Sequence, residues 1–122
     1  PTKVDDQAGL LLTNAEGQMA TVMLSLHSKQ PKRGMISCEK GYIEVMEYPR
    51  AWEAKITYTE SEKTELIKAG ENADALAYEL ADMEKAINGD PSCMHLDYTK
   101  DVMDMMTEFR KSWGFTYPEE EK

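Results

Sequence analysis

The hydrophobic period of this chain changes once, at Gly70, and that change limits the folds it can adopt. Before Gly70 the apolar residues recur mainly at every second position, the period of a strand. After Gly70 they recur every three or four positions, the period of a helix with one apolar face. Strands first and helices last indicate an α+β fold. We therefore predict a mostly antiparallel, open sheet of about six strands, followed by two C-terminal helices packed on one face.

Turn-forming residues divide the first part of the chain into strand pairs. The predicted strands are residues 8–13, 18–26, 34–38, 42–47, 53–58 and 64–68. The tetrapeptide Asn14-Ala15-Glu16-Gly17 is typical of a hairpin turn. Gly41 is expected to take the positive φ of the next tight turn. Pro31 lacks the N–H that a central strand donates, so a loop is predicted over residues 27–32.

Two amphipathic helices are predicted after Gly70. The first covers residues 73–87, with an apolar stripe at Leu76, Leu80, Met83 and Ile87. The second covers residues 97–113, with a stripe at Val102, Met106, Phe109 and Trp113. Gly89 and Gly114 are placed to end these helices, since glycine tolerates the left-handed conformation of a helix C-terminus. The methionines of the second helix, Met103, Met105 and Met106, are interpreted as core filling.

Two helices cannot cover both faces of such a sheet, so apolar sheet surface should remain for another domain or subunit. The residues predicted for this sheet-face interface are Leu11, Met19, Thr21, Met23, Met35 and Met46. A shift of one residue in strand register would exchange the two faces. Which face is exposed is therefore left open by the sequence.

Composition excludes several classes of protein. The 122 residues are expected to form a single domain with one modest core. A net charge of -9, without clustered Lys or Arg, argues against nucleic-acid binding. No apolar run approaches the length of a membrane span. The two cysteines, Cys38 and Cys93, are expected to be free thiols in a reducing compartment, which predicts a cytoplasmic protein. No targeting segment is recognisable from Pro1 onward.

No motif in the chain carries a recognisable chemistry. There is no G-x-G-x-x-G fingerprint and no phosphate-binding loop. Neither histidine has a partner at metal-ligand spacing, so no catalytic, cofactor-binding or metal-binding residue is assigned. His27 is interpreted as a solvated loop residue. His95 either caps the second helix or projects into a cleft shared with a neighbouring domain, and Tyr98 either hydrogen-bonds at that cleft or covers the helix start. His95 and Tyr98 are therefore the possible cleft residues.

Three phrases resemble the latter part of the carboxyl-terminal domain in the glucose-fructose oxidoreductase, inositol dehydrogenase and MocA (Gfo/Idh/MocA) family. Residues 34–45 (GMISCEKGYIEV) are similar to a strand, turn and strand of that family. Residues 75–89 (ALAYELADMEKAING) resemble its Tyr-Glu helix that ends in Ala-Ile and a Gly. Residues 96–106, continuing through Phe109 and Arg110 to residues 114–118 (GFTYP), are similar to its final helix and closing Gly-x-x-Tyr-Pro.

The resemblance implies that residues 1–122 are the carboxyl-terminal, substrate and dimerisation portion of a larger dehydrogenase, separated from an amino-terminal Rossmann domain. Such a parent enzyme would transfer hydride between NAD or NADP and a sugar, polyol or related carbonyl compound. The family's Glu-Lys-Pro lysine and its catalytic histidine match no segment here, so the fragment alone would not be catalytic. The resemblance also implies a homodimer or higher homo-oligomer formed through the sheet face. The alternative is a stand-alone α+β module whose sheet face binds an apolar ligand or a partner.

Overall fold

The computed structural model describes residues 5–117 and residue 120, and it confirms the α+β class. The strands are β1 (Gln7–Thr13), β2 (Met19–Ser25), β3 (Arg33–Cys38), β4 (Gly41–Met46), β5 (Glu53–Tyr58) and β6 (Thr64–Lys68). The helices are α1 (Ala75–Ile87) and α2 (Leu96–Ser112). All boundaries lie within two residues of the predicted ones, because apolar period and turn residues are local properties.

The strands of the described residues form two antiparallel sheets, where the sequence suggests one. β1 pairs with β2, and β3 to β6 follow one another in sequence order. The division falls at the loop around Pro31. The Gln30 side chain donates a hydrogen bond from Nε2 to the carbonyl oxygen of Met23, at 3.0 Å. This carbonyl lies on the outer edge of β2, so Gln30 uses an acceptor that a neighbouring strand would need.

The chain divides into two compact units. The first unit contains the β1–β2 hairpin and α2 from Thr99 onward, and the second contains residues Pro31–Tyr98. The second unit therefore holds the four-stranded sheet and α1. The two helices belong to different units, so each is described with its own strands.

Asn14 organises the turn of the hairpin, as the sequence predicts for this tetrapeptide. Its Oδ1 accepts hydrogen bonds from the N–H groups of Glu16 (3.1 Å) and Gln18 (2.9 Å). Its Nδ2 donates to Oε1 of Gln18 at 2.6 Å. Gly17 has a φ of 80°, which glycine adopts without strain. The side chain of Asn14 thus closes the turn that sets the register of β1 and β2.

Gly41 has a different role from the predicted one. The glycines with positive φ in the described chain are Gly17, Gly70, Gly89 and Gly114, so the prediction for Gly41 is wrong. Gly41 is paired with Tyr58, and a Cβ at this position would lie 2.1 Å from the carbonyl oxygen of Thr57. The absence of a side chain therefore allows the close approach of β4 and β5.

Each helix ends two residues before a glycine that has a positive φ. Gly89 and Gly114 have φ values of 98° and 65°, as predicted. The apolar stripe of α1, however, is open to solvent: Leu80 and Ile87 are 72% and 77% exposed. The half-buried residues of α1 are Ala75, Asp82 and Ala86. A stripe thus identifies the apolar side of a helix without identifying what covers it.

The described residues enclose no apolar core. None of their apolar side chains is buried, and Gly41 alone is enclosed by the fold. The expectation of a modest closed core is wrong for this part of the chain. Burial of apolar surface is the main favourable term in folding, so these elements need further apolar cover to be stable.

Candidate functional site

One face of the β1–β2 hairpin is apolar and open to solvent. The pairing places Leu11 opposite Thr21 and Met23 opposite Gly9, with Met19 at the end of the same face. Leu11, Met19 and Met23 are 65%, 67% and 74% exposed. Neither β1 nor β2 contains a charged residue. We call Leu11, Met19, Thr21 and Met23 the outer face; it unites four of the six residues predicted for a sheet-face interface.

The inner face of the hairpin lies toward α2. Leu10 and Leu24 line a cleft of about 190 Å³ together with Met106, Phe109 and Trp113 of α2. A second cleft of about 520 Å³ lies near the hairpin turn. Three of the four residues predicted for the α2 stripe therefore face the hairpin, since their side chains line these clefts.

The methionines predicted as core filling also line these two clefts. Met103 and Met106 belong to the smaller cleft, and Met105 belongs to the larger one. Their exposed fractions, 55%, 56% and 42%, show that they coat open clefts and do not fill a core. The hairpin thus has one face that is partly covered by α2 and one, the outer face, whose Leu11, Thr21 and Met23 line neither cleft. Met19, at the end of the outer face, also lines the larger cleft.

A paired cation lies at the rim of the smaller cleft. Arg110 donates a hydrogen bond from Nη1 to Oε2 of Glu120 at 2.7 Å, and its guanidinium lies 4.6 Å from the ring centre of Tyr117. The hydrogen bond with Glu120 raises the pKa of Arg110. The same bond, followed by one from the N–H of Tyr117, lowers the pKa of Glu120. The cleft therefore has an apolar lining and a cation, Arg110, that is already paired with the carboxylate of Glu120.

Met35 and Met46, the other two predicted interface residues, lie in the second unit on one face of the four-stranded sheet. Met35 pairs with Glu44, which pairs with Lys55, and Met46 pairs with Arg33. Charged side chains are thus interleaved with the two methionines. Burying this face would remove those charges from water, which is costly unless each is paired. It is a weaker candidate for a dry interface than the outer face of the hairpin.

Two further apolar surfaces occur in the second unit. The opposite face of its sheet carries the cross-strand row Ile36, Ile43 and Ile56, and Ile36 is 59% exposed. The α1 stripe is the other surface, and Leu76 on it is 62% exposed. The apolar period of the sequence predicts the stripe but not the isoleucine row. Ile36, Ile43 and Ile56 are far apart in the sequence, so only the strand register shows that they form one row.

His95 and Tyr98, the possible cleft residues, do come together. Their rings stack at 5.2 Å between centroids, with 7° between their planes. Both side chains are exposed, and His95 has a φ of 45°, in the left-handed region. The stack lies at the start of α2. This arrangement agrees with covering the helix start, and the described residues place no catalytic partner beside it.

The other candidate reactive residues are His27 and the two cysteines. His27 lies in the loop after β2, as predicted, and its Nε2 is 2.6 Å from Oδ2 of Asp6. Both cysteines are free, as predicted; the Sγ of Cys93 donates to the carbonyl oxygen of Asp82 at 3.5 Å. Within residues 5–117 and 120, no cluster of His, Cys, Asp or Glu has the arrangement of a metal site.

The two helix starts do not fit a dinucleotide cofactor. A pyrophosphate binds where a glycine-rich turn leads from a strand into a helix N-terminus. Here α1 has Asp74 as its N-cap, and α2 has Asp97 in its first turn. These carboxylates would repel a phosphate group. The starts of α1 and α2 therefore lack the features of a pyrophosphate-binding helix start.

Comparison with known proteins found no relatives. No family model matches the chain, and no curated protein or solved structure is significantly similar to it. Among the described helices, none is both long and apolar enough to cross a bilayer. Function must therefore be argued from the surfaces themselves.

Proposed function

We propose that this chain is a non-catalytic assembly segment of a larger NAD(P)-dependent oxidoreductase, and that the outer face of its hairpin is buried against a second copy. The observation that carries the proposal is the outer face. Leu11, Met19 and Met23 stand exposed on two strands without any charge, in a chain whose described part has no closed core. A contiguous exposed apolar patch of this kind is typical of a protein interaction site.

A second copy fits this surface better than a small molecule does. Small ligands are held in concave sites with a few polar groups that fix their orientation. The outer face is part of a two-stranded sheet, and the polar side chains on that side of the sheet are Thr21 and, at its two ends, Gln7, Thr13 and Ser25. A sheet face packs well against another sheet face at a separation of about 10 Å. Because neither strand carries a charge, burying this face would avoid the cost of removing a charge from water.

The oxidoreductase part of the proposal rests on the resemblance of three phrases to the Gfo/Idh/MocA family. The present chain would contribute subunit contacts and walls of the substrate cleft, with His95 and Tyr98 as the residues offered to that cleft. The nicotinamide cofactor, NAD or NADP, would be held by a separate Rossmann domain, since the helix starts described here do not fit it. The substrate would be a sugar, polyol or related carbonyl compound.

A titration with NADH and NADPH, followed by nicotinamide fluorescence, tests the oxidoreductase part. We expect binding by the product of the complete coding region and none by residues 1–122 alone. Binding by residues 1–122, or a complete coding region without a strand followed by G-x-G-x-x-G, would contradict this part. The assembly role of the outer face is tested separately, by solution mass.

The smaller cleft favours a second candidate function, a stand-alone module that binds an apolar ligand. Leu10, Leu24, Met106, Phe109 and Trp113 provide an apolar lining. An apolar fluorescent probe, 1-anilinonaphthalene-8-sulfonate, distinguishes this function. Saturable binding of one probe per chain, lost on Trp113→Ala but retained on Trp52→Ala, would favour the module. Weak binding that neither variant alters would favour the assembly segment.

A further inference from the structure

The free edge of β1 is a second interaction surface, separate from the outer face. Leu26 donates its N–H to the carbonyl oxygen of Asp6 (2.8 Å), and Asn14 donates its N–H to that of Gln18 (3.1 Å). Hydrogen-bonded pairs alternate along an antiparallel ladder. The even-numbered residues of β1 therefore bond to β2. The N–H and C=O groups of Gln7, Gly9, Leu11 and Thr13 point away from the hairpin, along its edge.

Nothing within the described residues protects this edge. No hydrogen bond from another part of the described chain reaches the backbone of Gly9 or Leu11. Edge strands are normally blunted by charged side chains, by proline or by a bulge. β1 has seven residues, QAGLLLT, with neither a charge nor a proline, and it pairs with β2 without a bulge. On β2, by contrast, Gln30 already occupies the outward carbonyl of Met23.

The sequence of β1 is self-complementary about Leu10. If a second β1 adds in antiparallel orientation with Leu10 opposite Leu10, Gln7 faces Thr13, Ala8 faces Leu12, and Gly9 faces Leu11. Each polar residue then meets a polar residue, and each small residue meets a large one. The outward groups at positions 7, 9, 11 and 13 also fall opposite one another, as a hydrogen-bonded ladder requires. We propose that two copies of this chain pair through β1 in this register.

The pairing would join two hairpins into one four-stranded sheet in the order β2, β1, β1, β2. The two α2 helices would lie on the same side of this sheet, and the two outer faces would become continuous on the other side. Gly9 leaves room on the outer face between Met23 of its own hairpin and Leu11 of the second copy. The edge pairing uses the backbone and the outer face uses side chains, so each can be tested alone.

Disulfide cross-linking tests the register. In a protein with Cys38→Ser and Cys93→Ser, Leu10→Cys would place two thiols opposite each other across the new pair, with Cα atoms about 4.5 Å apart. That separation suits a disulfide. The matched control is Leu12→Cys, on the same strand and face, whose two copies would be about 13 Å apart along the strand, at about 3.3 Å per residue. We expect cross-linking under mild oxidation to be at least about fivefold faster for Leu10→Cys. Equal or slower cross-linking would overturn the proposed register.

A second pair of variants avoids any change to the half-buried inner face. Gly9→Cys and Leu11→Cys proteins, in the same background, are mixed before oxidation; circular dichroism confirms that each is folded. The pairing predicts that the mixed dimer exceeds the statistical proportion, because positions 9 and 11 lie opposite each other. A statistical proportion of mixed and unmixed cross-linked dimers would overturn the proposed register. If Met23→Glu weakens association while no cross-linking preference is found, the outer-face assembly stands and the edge pairing fails. If the cross-linking preference is found and Met23→Glu has no effect on association, the edge pairing stands and the outer-face assembly fails.

Discussion

The hairpin of the first unit and the four-stranded sheet of the second treat their exposed surfaces differently. One face of the larger sheet interleaves Met35 and Met46 with Glu44 and Lys55, and an ion pair joins Lys68 and Glu53 at 3.8 Å. The hairpin has no charge on either strand. Charges across a sheet keep its face in water and discourage association. The uncharged outer face of the hairpin is therefore a better candidate for a protein interface than the Met35 face of the larger sheet.

The two sheets also differ in their number of strands. An isolated two-stranded hairpin is at best marginally stable in water, whereas four strands can support one another. The hairpin is covered on one face by α2, through open clefts, and lacks cover on the other. Assembly and stability are therefore expected to be linked in the first unit and largely independent in the second.

The largest expected effect is the loss of the larger sheet on Gly41→Ala. The new Cβ would lie 2.1 Å from the carbonyl oxygen of Thr57, so β4 and β5 would have to separate. We expect a destabilisation on the order of 3 kcal/mol. Amide hydrogen exchange should show loss of protection in β4 and β5 with β1 and β2 unchanged. Gly34→Ala, where a Cβ would have no neighbour within 4 Å, is the control and should change little. Loss of protection in β1 and β2 as well would contradict an effect confined to the larger sheet.

A smaller effect is expected in the hairpin from Asn14→Ala. This change removes the acceptor of the Glu16 and Gln18 N–H groups. We expect a loss of about 1–2 kcal/mol in hairpin stability, since each such bond contributes about 1 kcal/mol. Because the register of β1 depends on this turn, association should weaken too. Light scattering and amide exchange on the same samples would measure both effects.

Asn14→Asp serves as the control for the turn. Its carboxylate keeps an acceptor for both N–H groups and loses the donor to Gln18. It should retain most of the association. If Asn14→Ala loses hairpin protection without weakening association, the proposed link between stability and assembly in the first unit is wrong.

The smallest expected effect is a pH dependence at the end of α1. The Ser92 hydroxyl, and then the Ser92 N–H, hydrogen-bond to Asp90 and lower the pKa of its carboxyl group below 3.8. A lowered pKa stabilises the fold above about pH 4, and that contribution is lost as the pH falls through the folded-state pKa. Asp90→Asn should remove this part of the acid dependence. Melting curves between pH 7 and pH 2.5 should converge for the two proteins at the acid end. Parallel curves throughout would contradict the assignment.

Local sequence patterns predict where the strands and helices lie. Strand pairing decides which residues share a face, and the local patterns do not predict this. The boundaries of the six strands and two helices followed from apolar period and turn residues alone. The faces did not: Leu11 and Met23 share the uncharged outer face, whereas Met35 lies beside Glu44, and only strand register separates these cases. The turn pattern predicts a positive φ for Gly41, which is wrong, and the close contact of Gly41 with Thr57 is long-range and invisible in the sequence. The α1 stripe was located correctly, yet an apolar period carries no information about its cover.

A second protein surface is proposed to cover the outer face of the hairpin. Light scattering over a concentration series of the wild type, Met23→Glu and Met35→Glu would detect this cover as self-association. The wild type should have a mass at least twice the 13.9 kDa of the chain. Met23→Glu should need at least about tenfold more protein to associate, since a buried methionine contributes about 1.5 kcal/mol or more. Met35→Glu should match the wild type. A monomeric wild type, or equal effects of the two substitutions, would contradict the claim.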